Sequence, residues 1–197
     1  MKALFISLLF VSGALHAEPR SHILEPVESA PKEIDGLEFS VVTQAEWKTT
    51  KSALGDEITV QLHIKNKGAK PVVFATFDSL SMVLTGPDGK EIALAGARTA
   101  THITPNLLLQ PGREICYPLN ARVSCDKKNP GGAALELQDG TGTQWFGSLK
   151  TGVYSLKAAV SSSPFDFSKE TDIPAPLWAG KGISEPVTFK VVEPAAR

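Results

Sequence analysis

Asp56-Glu-Ile-Thr-Val-Gln-Leu-His-Ile-Lys-Asn66 decides the fold class. Ile58, Val60, Leu62 and Ile64 alternate with Thr59, Gln61, His63 and Lys65. Successive side chains of a strand point to opposite faces, so this period of two predicts one face in a core and the other in water. On that reading His63 is a solvated side chain. Asn66-Lys67-Gly68 then supplies turn chemistry.

The same grammar runs outward in both directions. Gly36 to Trp47 opens the domain, and Lys70 to Phe77 carries the more continuous apolar run of a strand buried on both sides. Ser81 to Leu84 and Glu91 to Leu94 flank Gly86-Pro87-Asp88-Gly89, where proline presets one dihedral and Asp-Gly supplies positive φ, so a hairpin is expected. Gln110-Pro111-Gly112 marks a further turn leading into Glu114 to Leu119. Val153 to Val160 places Tyr154, Leu156, Ala158 and Val160 on one face, and Val187 to Val192 places Val187, Phe189 and Val191 on one face. Helical periodicity is almost absent. The expectation is an all-β chain, a single antiparallel β-sandwich of about eight or nine strands over residues 36–193.

Two segments precede it. Met1-Lys2 followed by an uncharged run from Ala3 to Leu15, with small residues near Ala14 and Ala17, has the layout of a secretory signal peptide over residues 1–17. The apolar run is shorter than the roughly 20 residues a membrane-spanning helix needs, so the mature chain is expected to be exported, periplasmic or extracellular, with no integral membrane segment. Glu18 to Asp35, with Pro19, Pro26 and Pro31, reads as a flexible arm.

The export signal changes how the cysteines are read. Cys116 and Cys125 are the two cysteines of the chain, and an oxidising compartment favours a disulfide between them over two unpaired thiols. The formal net charge of −1, from 20 basic and 21 acidic residues, offers no field for nucleic acid. The four histidines are scattered, and His102 has no nucleophile motif beside it, so neither an enzyme nor a metal site is expected, and no cofactor. Asp166, Glu170 and Asp172 match no calcium loop.

The residues 161–182 are unusual: a connection of this length between two strands holds Phe165, Phe167, Leu177 and Trp178 among Pro164, Pro174 and Pro176. Stiffened aromatic residues suit a binding loop. They equally suit a cover over the open edge of the sandwich, and the sequence leaves both open.

Val60 to Asn66, Leu109-Gln-Pro-Gly112, Gly152-Val-Tyr-Ser-Leu156 and Ser184 to Phe189 together resemble secreted bacterial immunoglobulin-like domains, including the intracellular proteinase-inhibitor (BsuPI-like) family. Tyr154 is similar to the tyrosine corner of such sandwiches. The resemblance implies an immunoglobulin-like fold. With the leader and the aromatic loop, the expected function is an exported, non-catalytic domain recognising a protein or glycan partner, chiefly through 161–182. A secreted protease inhibitor is the alternative.

Overall fold

A computed structural model describes residues 25–49, 54–99, 106–126, 132–139, 142–162 and 174–193. The expected signal peptide, residues 18–24 of the expected arm, and Phe165, Phe167 and His102 lie outside them, as do Asp166, Glu170 and Asp172. Among the described residues the structure is all-β, and no helix is long and apolar enough to cross a membrane.

The strands are β1 (Pro26–Glu28), β2 (Lys32–Ile34), β3 (Leu37–Gln44), β4 (Glu46–Lys48), β5 (Asp56–Asn66), β6 (Val72–Phe74), β7 (Leu80–Thr85), β8 (Leu94–Thr99), β9 (Leu107–Leu109), β10 (Glu114–Cys125), β11 (Ala133–Gln138), β12 (Gly142–Leu149), β13 (Gly152–Ser161), β14 (Lys181–Ile183) and β15 (Val187–Val192). They form a sandwich. One sheet runs β1-β3-β5-β10-β11-β12-β8, with β2 also paired to β3. The other is centred on β13, which pairs β7 along one edge and β14 and β15 along the other, and β4 joins β15 in parallel. β6 and β9 form a separate two-stranded ribbon.

The alternation read in β5 holds: Val60, Leu62 and Ile64 are fully buried and Ile58 nearly so. The facing sheet contributes Tyr154, Leu156, Ala158 and Val160 from β13, and Val187, Phe189 and Val191 from β15, all buried. Trp47 stacks on Phe189 with ring centroids 3.6 Å apart and donates its indole N–H to Thr43 Oγ1 at 3.0 Å. Burying each large side chain stabilises the fold by about 1.5–3 kcal/mol.

Two chain segments depart from the expected strand plan. Gly36 to Trp47 is not one strand: β3 belongs to the larger sheet, and after Ala45 the chain enters the other sheet as β4. The Gly86–Gly89 turn forms, with Gly89 at φ 75° and Gly86 N–H donating to Lys90 O at 2.8 Å. Its return arm keeps only the Thr85–Glu91 bridge before β8 crosses to pair with β12. Because single runs serve both sheets, the strands are shorter and more numerous than the sequence suggested.

The described part of the expected arm is not free. β1 pairs with β3, and β2 joins β3 through Asp35-Gly36, at φ 47° and φ 80°. Two consecutive positive φ values suit a two-residue hairpin turn, and Asp-Gly is a preferred pair there.

The cysteine reading is corrected. Cys116 and Cys125 are both on β10, where nine steps of roughly 3.3 Å separate them by about 30 Å. Disulfide geometry requires Cα atoms within about 7 Å. No disulfide joins them: Cys116 is an exposed thiol and Cys125 a half-buried one.

Candidate functional site

The outer face of the larger sheet carries the residues that β5 does not send inward. Antiparallel pairing places Ser40 of β3 and Cys116 of β10 directly opposite His63, one on each side. Glu38 and Glu114 flank Lys65 in the same way one step along. Neighbouring strands lie about 4.8 Å apart, and diagonal residues on one face remain within reach of long side chains.

His63 is the centre of the group. Its Nδ1 lies 3.1 Å from Glu114 Oε1 and 3.4 Å from Glu28 Oε1. Glu28 arrives from β1, beyond β3, and its Oε1 accepts a 2.5 Å hydrogen bond from the Ser40 hydroxyl. β1 is anchored at this point: Ser29 N–H donates to Val41 O at 2.9 Å, and Ser29 Oγ accepts from Val41 N–H at 3.0 Å. The His63 side chain retains 21% exposure, against 52% for Glu28 and 42% for Glu114. Glu28, Ser40, His63 and Glu114 line a shallow depression of about 320 Å³, together with Ser29, Pro31, Glu38 and Lys65.

On the other side of His63 stands Cys116. One donor atom each from His63, Glu114 and Cys116 lie within 4.8 Å of one another. An imidazole nitrogen, a carboxylate oxygen and a sulfur at this spacing are a ligand set for a borderline transition-metal ion. Sequence reasoning missed this set because His63 lies far along the chain from Glu114 and Cys116, and only the β5–β10 register joins them. Reading His63 as solvated and Cys116 as half of a bridge concealed it further. The polar-face position of His63 was the usable signal.

The aromatic loop resolves differently. Trp178 is 6% exposed and packs on Phe39 and Phe74, with centroids 5.4 and 5.5 Å away. Its indole N–H donates to Asp35 O at 3.2 Å. Trp178 N–H donates to Val73 O, Val73 N–H donates to Pro176 O, and Leu177 bridges Val73 in parallel. The segment 176–178 therefore covers the edge of β6. At the other end of the core, the Tyr154 hydroxyl donates to Lys150 O at 2.8 Å and accepts from Lys150 N–H at 2.9 Å, the bonding pattern of a tyrosine corner. Burial raises the Tyr154 phenol above its usual range, and the same cause raises Tyr117.

No family model matches the chain, the proteinase-inhibitor family included, and no curated protein sequence matches it. Among solved structures, it is similar to a copper-bound variant of FetP from uropathogenic Escherichia coli at 11% identity and a TM-score of 0.34, covering 87% of this chain and 96% of that one. It is also similar to copper-reconstituted P19 from Campylobacter jejuni at 13% identity and a TM-score of 0.32, covering 85% and 97%. The expectation of a protein- or glycan-recognition domain working through 161–182, with a protease inhibitor as alternative, is corrected: Trp178 is core rather than presented surface, and the segment 176–178 is tied to β6.

Proposed function

We propose that this is an exported, non-catalytic metal-binding protein that holds one transition-metal ion on the outer face of its larger sheet. The observation that carries the reading is the convergence of His63, Glu114 and Cys116 donor atoms within 4.8 Å. The leader of residues 1–17 supports placement outside the cytoplasm, where an exposed thiol kept beside an imidazole is better suited to a metal than to a buried packing role.

The donor types narrow the ion. Thiolate and imidazole disfavour Mg²⁺ and Ca²⁺, which take oxygen ligands, and favour Zn²⁺ or copper. Three protein donors on an open face leave a position for water or for a group delivered by another molecule. Binding requires the thiol to lose its proton and the imidazole to be neutral.

The test is a chelator-competition titration of the purified mature protein with Zn²⁺ and with Cu²⁺. One ion per chain is expected. His63→Ala and Cys116→Ser should each weaken binding by at least tenfold while leaving the metal-free circular dichroism spectrum unchanged. Uptake by a folded His63→Ala/Cys116→Ser double variant with wild-type affinity would refute the site.

A further inference from the structure

We infer that the depression beside the ion takes a small α-amino carboxylate, which fills the open coordination position and pairs with Lys65. The inference rests on the metal reading above and names the class of molecule that completes the site.

The strand register supplies the first observation. Lys65 stands directly opposite Glu38 on one side and Glu114 on the other. Opposite charges so placed normally pair across a sheet. Here both glutamates turn elsewhere: Glu38 Oε2 lies 3.5 Å from Lys67 Nζ, and Glu114 Oε1 lies 3.1 Å from His63 Nδ1. Among the described residues Lys65 makes no ion pair. It is half-buried and lines the depression. A half-buried ammonium whose cross-strand partners are engaged favours an anionic group from outside the chain, since charge attracts more strongly away from bulk water.

Size and placement supply the second. At about 320 Å³ the depression stands at the low end of the roughly 300–1,000 Å³ of small-molecule sites. His63 and Lys65 are alternate residues on one face of β5, about 6.6 Å apart along the strand. A lysine stem spans that distance. Three protein donors leave one position of a tetrahedral ion free, so a carboxylate would meet the ion through one oxygen and Lys65 through the other.

Glu28 decides what else the molecule carries. It is outside the donor group of His63, Glu114 and Cys116, and its Oε1 is held by the Ser40 hydroxyl. The side chain remains 52% exposed, and an ionised carboxylate accepts several hydrogen bonds while donating none. A second carboxylate brought there would be repelled, whereas an ammonium would be held. A carboxylate and an ammonium on one carbon are the head group of an α-amino acid.

Calorimetric titration of glycine into metal-free and Zn²⁺-loaded protein would test this, with acetate as the probe that lacks the ammonium and native mass spectrometry to verify that Zn²⁺ stays bound. Glycine should bind the Zn²⁺-loaded protein at least tenfold more tightly than the metal-free protein, and more tightly than acetate. Lys65→Met should lose at least tenfold in glycine affinity without loss of Zn²⁺ affinity measured in the absence of glycine. Glu28→Gln should erase the preference for glycine over acetate. Zn²⁺-loaded wild type that binds glycine no better than acetate, or Lys65→Met that binds it as wild type does, would overturn the inference and leave the three-donor site standing. A wild-type protein that takes up no Zn²⁺ and no copper would overturn the metal site itself, and this inference with it.

Discussion

Cys116 stands directly opposite His63 in the β5–β10 ladder, and Glu114, two residues earlier on the same face, reaches diagonally to within 3.1 Å of His63 Nδ1. A single ladder register creates this proximity. Shifting it by one residue would turn Glu114 and Cys116 into the core and send Ile115 and Tyr117 outward.

The thiols should report this arrangement directly. Cys116 is exposed, so a maleimide or disulfide reagent should label it readily in the metal-free protein, and half-buried Cys125 more slowly. Intact mass measured under non-reducing conditions should show two titratable thiols and no internal disulfide. Excess Zn²⁺ should slow labelling of Cys116 by at least tenfold and leave Cys125 unaffected. Equal labelling of Cys116 with and without Zn²⁺ would argue against its being a ligand.

Trp178→Ala should destabilise the protein by about 3–5 kcal/mol, the usual cost of deleting a buried large aromatic, as read by urea denaturation. Zn²⁺ affinity of the folded variant should stay within twofold of wild type, because Trp178 packs on Phe39 and Phe74 and touches none of the proposed ligands. Gly180→Ala should give a smaller loss of the same kind, since a Cβ at this position would collide with the Trp178 ring.

Asn66 should be costly to change. Its side-chain amide is buried, donates to Lys70 O and Leu109 O at 2.8 and 2.9 Å, and accepts from Gly68 N–H at 2.8 Å. It ties the end of β5 to its own turn and to β9. Asn66→Ala leaves the buried Leu109 carbonyl without this partner, at a cost of about 1–3 kcal/mol, and removes two part-buried bonds to the turn as well. A total loss below 1 kcal/mol in chemical denaturation would contradict this role.

Tyr154 should give the fold an alkaline limit. Burial raises its folded-state pKa above the unfolded value of about 10. Below about pH 10 both states keep the proton and stability is independent of it. Above that the unfolded chain loses the proton first, so stability falls as pH climbs toward the raised folded pKa. Tyr154→Phe should be less stable at pH 7 by about 1–3 kcal/mol through the lost Lys150 hydrogen bonds, and its stability should decline less steeply above pH 10. Tyr117, raised by the same cause, keeps some decline in both proteins.

Much of the fold was legible because its signals are local. The alternation in β5, β13 and β15 follows from side-chain geometry along a single strand, and buried Val60, Leu62, Tyr154, Leu156, Phe189 and Val191 match it. The turns at Asn66–Gly68, Gly86–Gly89 and Gln110–Gly112 follow from dihedral preferences of the residues in them. Asp35-Gly36 carried the same kind of signal, and the proline-bearing lead before it obscured the β2–β3 hairpin. The sheet switches after Ala45 and before β8 were not legible, since both sheets bury the same kinds of residue.

The sequence by itself determined an all-β chain, which side chains of its longest strands turn inward, and where several turns fall, because each is fixed by neighbours a few residues away. Only the tertiary structure decided that Trp178 closes an edge, that Cys116 and Cys125 stand far apart on one strand, and that Glu28, His63, Glu114 and Cys116 gather on one face. Those outcomes depend on which strands pair and in what register, and that is set by the packing of the whole sandwich rather than by any segment of it.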